Sequence, residues 1–402
     1  MEHVIVVGAG QAGASCVAKL RSEGFEGRIT LIGAETAPPY QRPPLSKKYL
    51  LGEMTEERLY LRPLAFYENQ KIDLMLGERV SAISPEDRTI TVGRDTLTYS
   101  DLVLTTGSVP NRLPASIGGD LKGVYTVRDL ADVDAMAMEF QPNRHVLIIG
   151  GGYIGLEAAA VAASKGLKVT VVEMADRILQ RVAAPETSTF FRDLHRDHGV
   201  ILLEGTGLTR LVGEDRIVAA ELSDGTTLDV DFVVVGVGIK PATSLAEAAG
   251  LTIENGIKVD ALGRSSNPHI WAAGDCASFP YRGTRIRLES VPNAIDQAEC
   301  VAENILGQSK EYIAKPWFWS DQYDVKLQIA GLNAGYDTVV TREGDTDGSI
   351  SFWYYRGTTL LAVDAANDPR AYMIGKRLIE AGKSPDASAV VDTSLPLKSL
   401  MG

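Results

Sequence analysis

The fold is decided by V-I-V-V-G-A-G-Q-A-G, Val4 to Gly13, which returns as V-L-I-I-G-G-G-Y-I-G, Val146 to Gly155. In each copy a short apolar run rich in β-branched residues meets glycines and then a segment of helical character. The pattern predicts a strand over Val4–Val7, a helix over Ala14–Arg21 and a strand over Ile29–Ile32 closed by Gly33-Ala34-Glu35. The second copy predicts a strand over Val146–Ile149, a helix from about Ile154 to Lys165 and a strand over Val169–Val172 ending at Glu173. A G-x-G-x-x-G turn at this place in a β-α-β unit holds a dinucleotide. Its first glycine (Gly8, Gly150) makes the tight turn and its second (Gly10, Gly152) lets a pyrophosphate approach the backbone. The third (Gly13, Gly155) lets helix and strand pack closely. Ala12 lies inside the first turn and Tyr153 inside the second, Ile154 begins the second helix, and both helix N-termini face the phosphate charge. The acids about twenty residues on, Glu35 and Glu173, suit a ribose hydroxyl. A carboxylate at Glu173 also repels a 2′-phosphate, which favours NADH over NADPH; Arg177 and Arg181 either soften that preference or are ordinary surface charge. Two such turns in one chain predict two dinucleotides and electrons passed between them.

The bulk of the chain agrees with an enzyme. Its 402 residues suffice for two or three domains, and 45% hydrophobic with 23% charged residues is ordinary for a globular protein. A net charge of −12 argues against general nucleic-acid binding. No apolar run approaches the roughly 18 residues of a membrane span, and the chain enters a strand almost at once, leaving no room for a signal peptide. Cys16, Cys276 and Cys300 show neither C-x-x-C nor metal-ligand spacing. A cytoplasmic protein with reduced thiols and no metal is the expectation.

Further strands, Leu102–Thr105, Phe232–Val235 and Ile270–Ala273, run into Thr106-Gly107, Gly236-Val237-Gly238 and Gly274-Asp275. They place backbone amides at the carboxyl edge of a sheet, where open α/β folds bind ligands. After about Lys315 the character changes. Aromatic residues cluster, alternating runs at Ser349–Tyr355 and Thr359–Val363 predict an antiparallel sheet, and Asp368–Ala381 reads as a helix.

Taken in order, G-A-G-Q-A-G, R-P-P-L-S-K (Arg42–Lys47), T-T-G-S (Thr105–Ser108), G-G-G-Y-I-G-L-E, W-A-A-G-D (Trp271–Asp275) and W-F-W-S-D-Q-Y (Trp317–Tyr323) span essentially the whole chain. The set resembles the NADH-dependent, FAD-containing ferredoxin reductases that serve bacterial cytochrome P450s and ring-hydroxylating dioxygenases. The resemblance implies a glutathione-reductase-like α/β fold with two Rossmann-like domains and a C-terminal α+β domain. Its domains would be a discontinuous FAD-binding domain over 1–110 and 240–315, an NAD-binding domain over 111–239, and an interface domain over 316–402. FAD, tightly bound, would occupy the first turn and NADH the second. Flavin contacts are implied for Ala34, Glu35, Arg42, Val80, Thr106 and Gly107, and for Arg128, Gly274, Asp275 and Val291. Gly236, Gly238 and Arg181 would border the nicotinamide nucleotide. Relatives often carry an acid directly after the glycine ending the second strand; here that residue is Ala34, and Glu35 stands in for it.

The resemblance also implies the chemistry. Lys47 would lie near the flavin ring and stabilise charge developing on it, Glu157 would orient Lys47 and the nicotinamide amide, and Trp319 would pack at the isoalloxazine end. The five histidines lie outside every motif, so no catalytic histidine is implied. Each residue alone has a plainer reading. Asp275 reads equally as a helix cap, Lys47 with Glu157 as an exposed ion pair of little energetic worth, Trp319 as core packing, and Cys276 as a buried structural thiol.

Where disulfide reductases of this architecture carry a cysteine pair, this chain reads Arg42–Lys47 with no cysteine, so a one-electron carrier is the natural acceptor. The resemblance implies a 2Fe-2S ferredoxin and, beyond it, an oxygenase, with the reductase a monomer or weak dimer. Ferredoxins of that kind are acidic, so docking needs a local basic patch. Candidates are Lys47, Lys48, Arg58 and Arg62, and Arg370, Lys376, Arg377 and Lys383. Reduction of a quinone, monodehydroascorbate or rubredoxin, and a partner-binding flavoprotein of the apoptosis-inducing-factor kind, are the competing readings.

Overall fold

The computed structural model describes residues 2–401 and divides into two compact units. Met1 and Gly402, the outermost residues of the expected domains, lie outside the described residues. The first unit comprises Met1–Arg42, Thr55–Val109 and Ile239–Pro316; the second comprises Pro43–Met54, Pro110–Gly238 and Trp317–Gly402. Arg42 therefore belongs to the first unit, while the rest of the R-P-P-L-S-K segment is counted with the second.

In the first unit a parallel sheet runs in the order Ile270–Ala272, Asp101–Leu104, His3–Val7, Arg28–Gly33, Ile72–Leu76. Val4, Ile5 and Val6 are fully buried because both faces of this central strand are covered. Burying each such side chain contributes about 1.5–3 kcal/mol. The helices Gln11–Ser22 and Val291–Ile305 pack together on one face, with Val17, Leu20, Ala298 and Val301 in the seam. The first fingerprint strand sits where the strand order reverses, and that switch point is where α/β sheets bind ligands.

The second unit repeats the plan with Ile201–Glu204, Lys168–Glu173, His145–Ile149, Phe232–Val235 and Val124–Tyr125, all parallel. The repetition extends beyond the glycines. His3 and His145 each begin a fingerprint strand, and each ring bonds the threonine of the next strand, Thr30 or Thr170, at 2.9 Å. Each unit also inserts a three-stranded antiparallel meander between parallel strands. These are Val80–Ser84, Thr89–Val92 and Asp95–Thr98 in the first unit, and Leu208–Gly213, Ile217–Leu222 and Thr227–Asp229 in the second.

The second unit also contains the expected antiparallel sheet, ordered Trp317–Gln322, Val325–Gly331, Thr359–Ala366, Ile350–Arg356, Thr338–Glu343. Helix Pro369–Glu380 covers it through Ala371, Ile374 and Leu378, against Trp353 and Val363. Asp364 is buried in this sheet; Tyr354 and Thr187 donate to its carboxylate, the latter at 3.0 Å. Burial pushes its pKa up to about 6, against the usual carboxylate value near 4 in an unfolded chain. The folded state therefore holds a proton the unfolded state has lost, and stability falls as pH rises from about 4 through 6. Asp364→Asn removes that dependence while keeping an acceptor for both hydroxyls. Its stability relative to the parent should rise by roughly 1.4 kcal/mol between pH 5 and pH 8. A difference in urea-denaturation free energy that stays constant over this range would refute the assignment.

Candidate functional site

The two glycine turns are built alike. At Gly8, φ is +118° and an added Cβ would lie 2.1 Å from the Thr105 carbonyl oxygen; at Gly150, φ is +105° and the obstacle is the Gly236 carbonyl at 2.4 Å. A Cβ at Gly13 would meet the Gly8 oxygen at 2.0 Å, and one at Gly155 the Gly150 oxygen at 2.1 Å. Gly10 and Gly152 differ in kind, since a Cβ at either meets nothing within 4 Å. The first and third glycines answer to the protein's own backbone. The middle ones face open space at the start of twelve-residue helices whose Gly10 and Gly152 caps offer no side-chain acceptor. Unpaired helix N–H groups before an open cradle suit a diphosphate.

The first cradle is completed within its unit. Gly274 has φ +80°, lies against Ala12, and donates its N–H to Gln297 Oε1 at 2.9 Å. Gln297 comes from helix Val291–Ile305, is 1% exposed, and has no partner for its Nε2. An orphaned donor beside a cradle calls for a polar ligand. Asp275 accepts from Ser108 Oγ at 2.8 Å. It caps no helix, because Ala277–Tyr281 is a strand and the next helix is capped by Ser290. Thr106 Oγ1 donates to the Ala242 carbonyl at 2.7 Å and Gly107 accepts from the Ala242 N–H, which pins this loop. Glu35, next to Ala34, accepts from Arg42 and from the Tyr40 hydroxyl, both at 2.5 Å. Val80 packs into the apolar core of this unit.

In the second unit Glu173 accepts from the backbone N–H of Gly151 at 2.7 Å and of Ala175 at 2.8 Å. The acid thus fixes the glycine turn as well as ending the strand. Arg177 donates to Ser188 Oγ and to the Ala183 carbonyl, and Arg181 is exposed near Gly238. Arg128 anchors its loop through its N–H to Asp132 at 3.0 Å. Tyr153 opens the helix, packs on Phe318 at 5.3 Å, and has a buried hydroxyl without a partner.

The second unit also brings Lys47 and Glu157 together. Lys47 Nζ lies 3.1 Å from Glu157 Oε1 and 3.2 Å from Asp321 Oδ2. The plainer reading of an exposed pair fails, because the side chains are only 14% and 4% exposed. Ser46 and Ser320 donate to the two oxygens of Glu157 at 2.8 and 2.7 Å. Burial pushes the Glu157 carboxyl up, and Lys47, Ser320 and Ser46 pull against it. Trp319 is partly exposed, 5.5 Å from Trp317 on the edge strand.

Of the basic candidates, Lys47 is turned inward as just described. Lys376 lies over the Trp317 ring at 5.0 Å, and Arg370 pairs with Asp345 on the surface. Arg370 and Arg377, seven residues apart on helix Pro369–Glu380, are both exposed. Cys16, Cys276 and Cys300 are buried and unpaired, and burial raises all three thiols, Cys16 to about 12. Among the described residues no group of acids, histidines and cysteines is placed to hold a metal, and no helix is long and apolar enough to cross a membrane.

Residues 2–298 match the family model described as pyridine nucleotide-disulphide oxidoreductase, and residues 317–401 match the one described as reductase C-terminal. The chain is 45% identical to a ferredoxin–NAD(P)(+) reductase of Sphingomonas, over 99% of this chain and 97% of that protein. It is 38% identical to putidaredoxin reductase of Pseudomonas putida, over 100% and 97%. Among solved structures it superposes with a TM-score of 0.96 on the ferredoxin reductase for the CYP199A2 system from Rhodopseudomonas palustris, at 40% identity with both chains fully covered. It superposes equally, with a TM-score of 0.96, on the covalent putidaredoxin reductase–putidaredoxin complex, at 38% identity over 100% of this chain and 98% of that one.

Proposed function

The chain belongs to the pyridine nucleotide-disulphide oxidoreductase family, and from that premise we propose that it is an NADH:ferredoxin oxidoreductase carrying FAD. It supplies a 2Fe-2S ferredoxin that in turn serves a cytochrome of the P450s or another oxygenase. The observation that carries the acceptor is the burial of all three cysteines with raised thiol pKa values, since a disulfide relay needs an accessible thiolate.

FAD supplies, when bound, a centre that accepts two electrons together and releases them singly. The protein's part is to bind, orient and hold charge. We assign FAD to the cradle of Gly8, Gly10 and Gly13, with Ala12, Ala34, Glu35, Arg42, Val80, Thr106, Gly107, Arg128, Gly274, Asp275 and Val291 as its further contacts. NADH goes to Gly150, Gly152, Tyr153, Ile154 and Gly155, with Glu173 selecting the 2′-hydroxyl and Gly236, Gly238 and Arg181 along the edge. Lys47 is the fixed cation for developing negative charge, Glu157 is its anchor, and Trp319 packs at the ring end. The division into 1–110 with 240–315, 111–239 and 316–402, the cytoplasmic location, and docking of the ferredoxin on exposed cations such as Arg377 belong to the same reading.

Anaerobic mixing tests it. NADH should bleach the flavin absorbance rapidly, and added 2Fe-2S ferredoxin should then be reduced while the flavin colour returns. Bleaching with no electron delivery to ferredoxin, but rapid delivery to a quinone, would overturn the acceptor.

A further inference from the structure

Glu157 is the end of a buried line of hydrogen bonds that reaches a histidine outside every sequence motif. The line lies wholly in the second unit. Ser320 Oγ donates to Glu157 Oε1 at 2.7 Å, Gln322 Nε2 lies 3.2 Å from Ser320 Oγ, His195 Nε2 lies 2.8 Å from Gln322 Oε1, and the Tyr323 hydroxyl lies 3.1 Å from His195 Nδ1. Ser320, Gln322 and His195 are 0% exposed and Glu157 is 3% exposed. Ser320 and Gln322 alternate along strand Trp317–Gln322, so both side chains leave the same face of the strand. Helix Pro185–Asp197 supplies His195 to that face.

The chemistry of the groups fixes the direction of every bond. An ionised carboxylate only accepts, so Ser320 spends its one proton on Glu157. Ser320 then accepts from the Gln322 amide nitrogen, which leaves the Gln322 oxygen facing His195. His195 must therefore carry its proton on Nε2, and its bare Nδ1 receives the Tyr323 hydroxyl. All four donors point toward the carboxylate, and aligned bonds of this kind polarise one another. Burial holds the His195 ring neutral, its pKa pushed down to about 4, so it passes on orientation and no charge.

We propose that His195 is a positioning residue for Glu157: by holding the Gln322 amide in one orientation, it keeps the Ser320 hydroxyl aimed at the carboxylate that pairs with Lys47. This rests on the reading above, in which Lys47 and Glu157 serve the flavin. Without the His195 donor, Gln322 is free to turn its oxygen toward Ser320. The serine proton then goes to Gln322, and buried Glu157 loses a donor. A carboxylate that loses a donor to its charged form binds its proton at higher pH. The charged and titratable groups around the line are Lys47 and Asp321 at the Glu157 end, and Tyr323 with His198, stacked on it at 3.6 Å, at the other.

The test uses the oxidised holoenzyme. The infrared carbonyl band of protonated Glu157, assigned by its loss in Glu157→Gln, is followed against pH. In His195→Phe the band should titrate about one pH unit higher than in the parent. In His195→Gln, whose amide keeps a donor toward Gln322, it should stay near the parent. Tyr323→Phe, at a partly exposed position that tolerates the change, frees the His195 tautomer and should move the band in the same direction by less. A His195→Phe titration that superposes on the parent overturns the proposal; should that variant fail to fold, an unmoved Tyr323→Phe band does so. A His195→Gln shift as large as that of His195→Phe also overturns it, because packing would then be the cause. The pH profile of flavin reduction by NADH is read on the same variants. If the band moves and the profile does not, the hydrogen-bond line stands and the role of Glu157 in flavin reduction falls.

Discussion

Gly10→Val is expected to yield a folded protein that has lost its flavin, while Gly152→Val keeps the flavin and loses NADH. The contrast follows from what each new side chain would meet. The space at both positions is empty of protein for 4 Å, so valine costs the fold little. The same space is where a diphosphate must touch the backbone. An isopropyl group there removes two or more charge-assisted hydrogen bonds of about 1.5–3 kcal/mol each. That is roughly a hundredfold in affinity or more, at about 1.4 kcal/mol per tenfold. For Gly10→Val the flavin-to-protein absorbance ratio after purification should fall to a few per cent with the far-ultraviolet circular dichroism kept. For Gly152→Val the flavin ratio should stay full, chemical reduction should still bleach it, and the KM for NADH should rise by about a hundredfold or more. The opposite pairing of losses would reverse the assignment of the two nucleotides.

The third glycines supply the control. Valine at Gly13 or Gly155 would drive Cβ to 2.0 or 2.1 Å from a backbone oxygen that cannot yield, so these variants should fail by misfolding. One motif thus contains glycines with two unrelated reasons, and only the middle one reports on the ligand.

This difference also shows which parts of the protein are legible in its sequence. A strand, a turn and a helix that follow one another are specified by adjacent residues, so both fingerprints, Glu173 and the antiparallel run at Ile350–Arg356 can be read directly. The two meanders are hard to read because their strands are short and mix buried with exposed positions without a clean period, as Val80–Ser84 and Asp95–Thr98 illustrate. The partners of Glu157 could not be read at all. Ser46 is 111 residues away and Ser320 is 163 away, and neither serine differs in type from the other serines of the chain. His195 lies in no motif, and its bond to Gln322 spans 127 residues, so nothing local marks it. The duplicated pairs His3–Thr30 and His145–Thr170 did leave a trace, since H-V-I-V-V-G and H-V-L-I-I-G begin with the same residue.

Lys47→Met should be among the most damaging single changes in the second unit, and a second mutation should repair the fold but not the chemistry. Glu157 is buried, and Lys47 is the cation facing it. Removing one partner of a buried pair strands the other, at about 3–5 kcal/mol. Glu157→Gln is the milder change, because Lys47 keeps Asp321, whose side chain is 42% exposed and well hydrated. It should cost roughly 1.5–2 kcal/mol, the lower end for a hydrogen bond to a charged group. Lys47→Met with Glu157→Gln leaves no buried charge, so the double variant should recover most of the loss, with a coupling of about 2–3 kcal/mol in a double-mutant cycle by urea denaturation. Additive costs would show that the two side chains do not act as a pair. Flavin reduction by NADH should behave differently. A preorganised charge lost from an active site typically costs a hundredfold to a thousandfold, and the double variant has lost it as completely as Lys47→Met. Stopped-flow rates should therefore be about a hundredfold down in both, although only one of them is unstable. A double variant that regained the parent's rate along with its stability would show that Lys47 holds the fold together and leaves the electron chemistry to other groups.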